Sequence, residues 1–186
     1  MTTIVGIQGT NYAMLAADAM TSYDERPFYA KCMEKIVERG EYVFAIAGDG
    51  IAGDIANYQW TPPRISKVLD TDVFVMTKLL PSLRQTFIEY GYTQDKEDKE
   101  SGFDMLLCLN GTIYQIDDNF GWMRNDRGLY AIGSGGKIAL GALAALLANE
   151  HEEREAIAIA RRTMQISAEY NIYTGGETQI ITQKRK

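Results

Sequence analysis

The chain opens Met1-Thr2-Thr3-Ile4-Val5-Gly6-Ile7, and the rest of the sequence reads outward from this stretch. Its β-branched residues favour a strand. Threonine is a weak nucleophile without a base beside it, but a Thr2 made terminal by loss of Met1 carries its own base, because a free α-amine titrates near ~8. The stretch lacks the basic segment and long apolar run of a signal peptide, and no leader is expected before it. A second apolar run, Tyr12 to Asp18, follows Gly9-Thr10-Asn11, so a hairpin with a tight turn is expected, ending at Asp18.

The same signals continue along the chain. Ala19 to Tyr29 reads as irregular and polar, and Lys35-Ile36-Val37 with Tyr42 to Ala47 reads as a second hairpin. Gly48 to Asp54 lacks the ending of a phosphate loop and the glutamate of a calcium loop, which leaves a strand-to-helix turn. Beyond the rigid Trp60-Thr61-Pro62-Pro63, Val68 to Tyr90 carries a helical period, with Pro81 as a candidate kink. Thr93 to Ser101 is charged and reads as a solvated loop. Asn110-Gly111 marks a third hairpin between Phe103 to Leu109 and Thr112 to Ile116. Leu129 to Ile132 is a short strand, followed by a helix from Lys137, a helix from Glu152 to Glu169 with Ile157, Ala160, Met164 and Ala168 on one face, and a last strand at Thr178 to Thr182. Strands and helices in this order give an α+β chain without βαβ alternation. A single domain spanning residues 1–186 is expected, with two antiparallel sheets packed together and helices outside them.

Composition removes several functions. The formal net charge of -6 over 186 residues, with its basic cluster confined to Lys184-Arg185-Lys186, argues against a nucleic-acid surface. The longest apolar stretch, Ile138 to Ala148, is too short to cross a membrane. Cys32 and Cys108 lack metal-ligand spacing and read as buried thiols, so a soluble protein of the reducing cytoplasm is expected. The single histidine, His151, sits in a polar break and reads as an exposed loop residue, so neither a serine nor a cysteine triad is easily built on it.

A nucleophilic Thr2 needs a cation and a carboxylate to hold it. Asp18 would lie beside the opening of the first strand, and Lys35, at the start of the next hairpin, could pair with it. That carboxylate would keep a buried lysine charged. On these two residues alone, an ordinary ion pair is the better reading.

The ordered set Thr2-Thr3-Ile4-Val5-Gly6, Ala16-Ala17-Asp18, Glu34-Lys35-Ile36, Ala47-Gly48-Asp49 and Ala131-Ile132-Gly133-Ser134-Gly135-Gly136 resembles proteasome β-type subunits, which are N-terminal-nucleophile hydrolases. The half from Leu129 to Thr174 resembles HslV, the bacterial proteasome-like peptidase, and the likeness covers nearly the whole chain with an insertion around Tyr58 to Ser66. The resemblance implies a four-layer αββα sandwich. By position it implies Thr2 as the nucleophile, Asp18 and Lys35 as its ion pair, Ser134 as a contact of the terminal amine, and the N–H of Ala45 as the oxyanion donor. Asn171 and Thr174 would support the amine, although Asn171 stands where many proteasome subunits have Asp. Met33 and Val43 would line an apolar substrate pocket.

The resemblance further implies that the chemistry requires no cofactor. A structural monovalent or divalent cation would sit on the backbone carbonyls of Ala168, Asn171 and Thr174. Implied partners are unfolded polypeptide as substrate, further copies of the chain in rings, and an ATPase unfoldase. Two other readings stay open: a non-catalytic ring or scaffold subunit that keeps Met1, and a small-molecule amidase of the same superfamily.

Overall fold

The computed structural model describes residues 2–23, 26–29, 34–66, 68–92, 102–147 and 151–186. The opening hairpin is present as β1 (Thr3–Gln8) and β2 (Tyr12–Ala17), paired antiparallel with Ile4 opposite Ala17. Two later strands complete this sheet: β10 (Leu129–Gly133) joins the outer edge of β1, and β11 (Gln179–Lys184) joins that of β2. The second sheet has five strands in chain order: β5 (Ile36–Arg39), β6 (Tyr42–Gly48), β7 (Phe103–Leu109), β8 (Thr112–Asp117) and β9 (Trp122–Met123). Asn110 and Gly111 take φ of 50° and 70° in the turn between β7 and β8, the conformation an Asn-Gly pair adopts at low cost.

Strand alternation distributes the apolar side chains among three cores. Ile4, Leu15, Ile36, Val43, Leu106 and Ile132 fill the space between the sheets. Val5, Ile7 and Met14 face the opposite way, against α4 (Gly136–Leu146) and α5 (Glu153–Tyr170), where Leu143, Ala160 and Met164 meet them. On the far side Phe44, Leu107 and Tyr114 pack against α1 (Gly50–Asp54), the turn ending at Trp60, and the helix formed by α2 (Thr71–Phe74), a π-helical turn (Val75–Leu79) and α3 (Leu80–Glu89). Helices, sheet, sheet and helices thus form the expected αββα sandwich. Each fully buried Leu, Ile or Phe contributes roughly 1.5–3 kcal/mol of transfer free energy, which makes three continuous cores the main source of stability.

Several expectations need correction. Ala19 to Tyr29 contains a small hairpin of β3 (Met20–Tyr23) and β4 (Arg26–Tyr29), with Met20 opposite Tyr29; Pro27 and the polar residues hide any apolar alternation. The helix expected over Val68 to Tyr90 begins at Thr71, and a π-helical turn (Val75–Leu79) directly precedes the segment that carries Pro81 at its start, where a proline surrenders little hydrogen bonding. The buried face of α5 runs through Ala156, Ala160, Thr163, Met164 and Ser167, while Ala168 is exposed. His151 is partly buried, with Nδ1 2.7 Å from Oη of buried Tyr12, so it is a packing residue of the α4–α5 connection. Burial and the nearby Glu152 and Glu155 push the Tyr12 phenol up to about 12. Cys108 is buried as expected, and burial pushes its thiol up. Met33, Cys32 and the charged segment from Thr93 to Ser101 lie outside the described residues.

Candidate active site

Thr2 stands at the entrance to β1, and hairpin pairing brings the end of β2 beside it. Asp18, the first residue past β2, accepts the Thr3 amide on Oδ1 at 2.9 Å. The Thr2 hydroxyl donates to the same oxygen at a long 3.4 Å. Lys35, directly before β5 of the other sheet, places Nζ 2.7 Å from that oxygen and also donates to the Met20 carbonyl. The second carboxylate oxygen accepts the amides of Met20 at 3.3 Å and Gly175 at 3.2 Å. Asp18 is 3 % exposed, and these five donors compensate the water it has lost. Burial pushes the Lys35 amine below its ordinary range, while the charge and hydrogen bond of Asp18 oppose that shift.

The turn after β10 secures the other side of Thr2. Ser134 donates its backbone N–H to the Thr2 carbonyl at 2.9 Å and its hydroxyl to the same oxygen at 3.2 Å. Ser134 therefore meets Thr2 through its carbonyl oxygen. Gly133 has φ of 85°, and a Cβ there would stand 2.1 Å from the Thr2 carbonyl oxygen, so only glycine fits. Behind Thr2, the Thr3 hydroxyl lies 2.6 Å from that of Thr174, and Asn171 is buried with Oδ1 accepting the Tyr173 amide. Thr174 thus braces Thr3, one residue away from the expected contact. The Asn171 carbonyl accepts the Thr174 amide at 3.1 Å.

A cleft of about 630 Å³ opens on Thr2 and Ser134. Its other walls include Ala47 and Gly48 at the end of β6 and the acidic residues Asp49, Asp104, Asp117 and Asp118. Two sequence expectations fall outside it. Ala45 is 1 % exposed in the middle of β6, opposite Ile36 on one side and Leu106 on the other, and its methyl packs between the sheets. Val43 lies five residues before Gly48, about 16 Å along an extended strand, and lines a different cavity with Glu38 and Thr182. Ala47 and Gly48 are the β6 residues that line the cleft with Thr2, and Gly48 has φ of 113°; the Ala47-Gly48-Asp49 motif carries that signal, since a glycine at a strand end marks a close approach. Thr3 and the cleft acids were also missed. The hydroxyl of Thr3 looked like one more β-branched strand residue, and Asp104 and Asp117 meet only through their pairing across β7 and β8.

No protein-family model matches the chain. It is 26 % identical over 195 residues to the proteasome subunit beta of Nanoarchaeum equitans, covering 100 % of this chain and 94 % of the relative. BPH of Thiobacillus denitrificans, solved in complex with epoxomicin, superimposes with a TM-score of 0.73 at 24 % identity, covering 99 % of both chains. Eukaryotic HslV from Trypanosoma brucei gives 0.67 at 18 % identity, over 98 % of this chain and 99 % of that one. The chain is thus similar over its whole length to a proteasome β subunit, and it has the four-layer fold of the proteasome-like N-terminal-nucleophile hydrolases.

Proposed function

We propose that this chain is a proteasome-like threonine peptidase subunit, hydrolysing peptide bonds of unfolded polypeptides by acyl transfer through Thr2 once Met1 is removed. The observation that carries the reading is the convergence of the Thr2 hydroxyl, at 3.4 Å, and the Lys35 ammonium, at 2.7 Å, on one oxygen of buried Asp18. A cation held there lowers the hydroxyl pKa and favours the neutral, basic form of a terminal amine. The amine, directly or through a water, takes the hydroxyl proton; Oγ1 attacks the substrate carbonyl; water then hydrolyses the ester. Gly48 replaces Ala45 as the proposed oxyanion donor, because Gly48 lines the cleft with Thr2 while Ala45 is enclosed within its sheet. A single such donor is worth about 3 kcal/mol of transition-state stabilisation.

Ser134, Asn171 and Thr174 belong to the proposed support of this centre, and a structural cation on the carbonyls of Ala168, Asn171 and Thr174 remains part of the proposal. The chemistry itself asks for no cofactor. Assembly into rings, feeding by an ATPase unfoldase and a cytoplasmic location are proposed by likeness to the relatives. No helix among the described residues is long and apolar enough to cross a membrane.

The test pairs the intact mass of the protein from its native host with hydrolysis of fluorogenic peptides by wild type and Thr2→Ala. Loss of Met1 and a fall of more than about 10³-fold in Thr2→Ala are expected. Epoxomicin, with which BPH of T. denitrificans was solved, should bind the mature wild type and slow its peptide turnover. Equal peptide turnover by the two proteins would sink the reading. Retained Met1 without turnover would favour the scaffold reading instead.

A further inference from the structure

Asp18 and Lys35 come from different sheets: Asp18 follows β2 of the four-stranded sheet, and Lys35 precedes β5 at the edge of the five-stranded one. Their 2.7 Å contact therefore depends on how the two sheets are held at this corner. Gln179, the first residue of β11, stands opposite Ala17, next to Asp18. Its side-chain amide crosses to the other sheet and makes two bonds with one residue: Oε1 accepts the Ile36 N–H at 3.1 Å, and Nε2 donates to the Ile36 carbonyl at 3.0 Å. A primary amide carries a donor and an acceptor on neighbouring atoms and so reproduces a strand neighbour's N–H and C=O together. On the open edge of β5 it stands in for a missing strand.

We propose that Gln179 is a positioning residue for the Lys35–Asp18 pair, clamping the backbone directly after Lys35 to the strand that delivers Asp18. The proposal rests on the peptidase reading for its functional consequence. Lys35 has a long, freely rotating stem, and an ammonium can find other acceptors if its anchor shifts. Ile36 is fully buried, and the Gln179 clamp adds a directional restraint that its apolar packing lacks.

The same strand supplies a matched control. Gln183, four residues along β11, accepts the Gly111 amide at 2.9 Å and donates to the carbonyls of Glu41 at 2.8 Å and Cys108 at 3.3 Å, at the end of the sandwich away from Lys35. Gln179→Leu and Gln183→Leu each remove an amide clamp between the sheets, so their losses of thermal stability should be alike. Gln179→Leu alone should lower kcat about tenfold or more with little change in KM, as expected when a reacting group is misplaced.

A second readout does not require turnover: acetylation of Lys35 by an amine-reactive ester, followed by peptide mass mapping. Gln179→Leu should speed Lys35 labelling several-fold, and Gln183→Leu should leave it at the wild-type rate. Equal labelling of Lys35 in the two variants would overturn the proposal, as would faster labelling with an unchanged kcat. Absence of Thr2-dependent turnover in the wild type would sink the peptidase reading, and the labelling comparison would then decide the clamp alone.

Discussion

Lys35 Nζ and Asp18 Oδ1 lie 2.7 Å apart, and the two residues play unequal parts in the fold. Asp18 also accepts the amides of Thr3, Met20 and Gly175, whereas Lys35 has the Met20 carbonyl as its other partner. Asp18→Ala leaves three amides and a buried ammonium without their acceptor, which should cost about 3–5 kcal/mol. Lys35→Met keeps the apolar stem and leaves Asp18 its amides, so it should fold at a smaller cost. Turnover should nonetheless fall about 10²–10⁴-fold. Urea unfolding and peptide hydrolysis measured side by side check both statements; a near-wild-type rate for Lys35→Met would remove Lys35 from the chemistry.

Burial sets the pH range of the same lysine. It lowers the Lys35 pKa from the ordinary 10.5, against the opposing effect of Asp18. A lowered pKa means the proton is lost at lower pH. If the charged form is the working one, kcat/KM should decline on the alkaline side at a pH below 10.5. Lys35→Arg should slow the reaction but abolish that decline, because a guanidinium stays charged to a pKa above ~12. An alkaline limb that persists unchanged in Lys35→Arg would assign it to another group.

Space at Gly135 makes a sharper test of the support behind Thr2. A Cβ there would meet the Thr3 hydroxyl at 2.2 Å, that of Thr174 at 2.8 Å and the Asn171 amide nitrogen at 2.9 Å. Gly135→Ala should therefore break the Thr3–Thr174 bond and cost about 1–3 kcal/mol. Gly141, inside α4, has nothing within 4 Å of its added Cβ, so Gly141→Ala should be neutral or stabilising by about 0.4–1 kcal/mol. Thermal melts of the pair, with peptide turnover, check the contrast.

The cleft walls bear on substrate choice. Asp49, Asp104, Asp117 and Asp118 share the cavity with Thr2, and burial followed by the charges of Asp117 and Asp118 pushes the Asp104 carboxyl up, with a hydrogen bond to Gln115 opposing. Peptides carrying Arg or Lys beside the scissile bond should show higher kcat/KM than their Asp or Glu counterparts, and the preference should weaken with salt. Asp104→Asn should narrow it. A preference for acidic peptides would contradict this picture. The apolar pocket expected from Met33 and Val43 is not part of the described cleft, since Val43 lines another cavity and Met33 lies outside the described residues.

Much of this was legible in the chain because it depends on local chemistry. The Asn110-Gly111 turn follows from the cost of positive φ, and the opening hairpin follows from two apolar runs around Gly9-Thr10-Asn11. The β3–β4 hairpin was not legible, because polar residues and Pro27 carry no periodic signal. Neither was the Tyr12–His151 contact, which joins residues 139 positions apart. The phase of α5 was misjudged at Ala168 because Thr163 and Ser167, though polar, occupy its buried face.

By itself the sequence determined most of the order of elements, the α+β class and the condition on the proposed role of Thr2, which as a nucleophile would need a free terminus. These are properties of neighbouring residues and of periodicity. Tertiary structure alone decided which side chains share a site. It placed Gly48 in the cleft and Ala45 within its sheet, turned Thr174 onto Thr3, and brought Gln179 across to Ile36. The physical reason is register. A shift of one residue along a strand turns a side chain to the opposite face, and hydrogen bonds between sheets join residues whose separation in the chain predicts nothing about their distance in space.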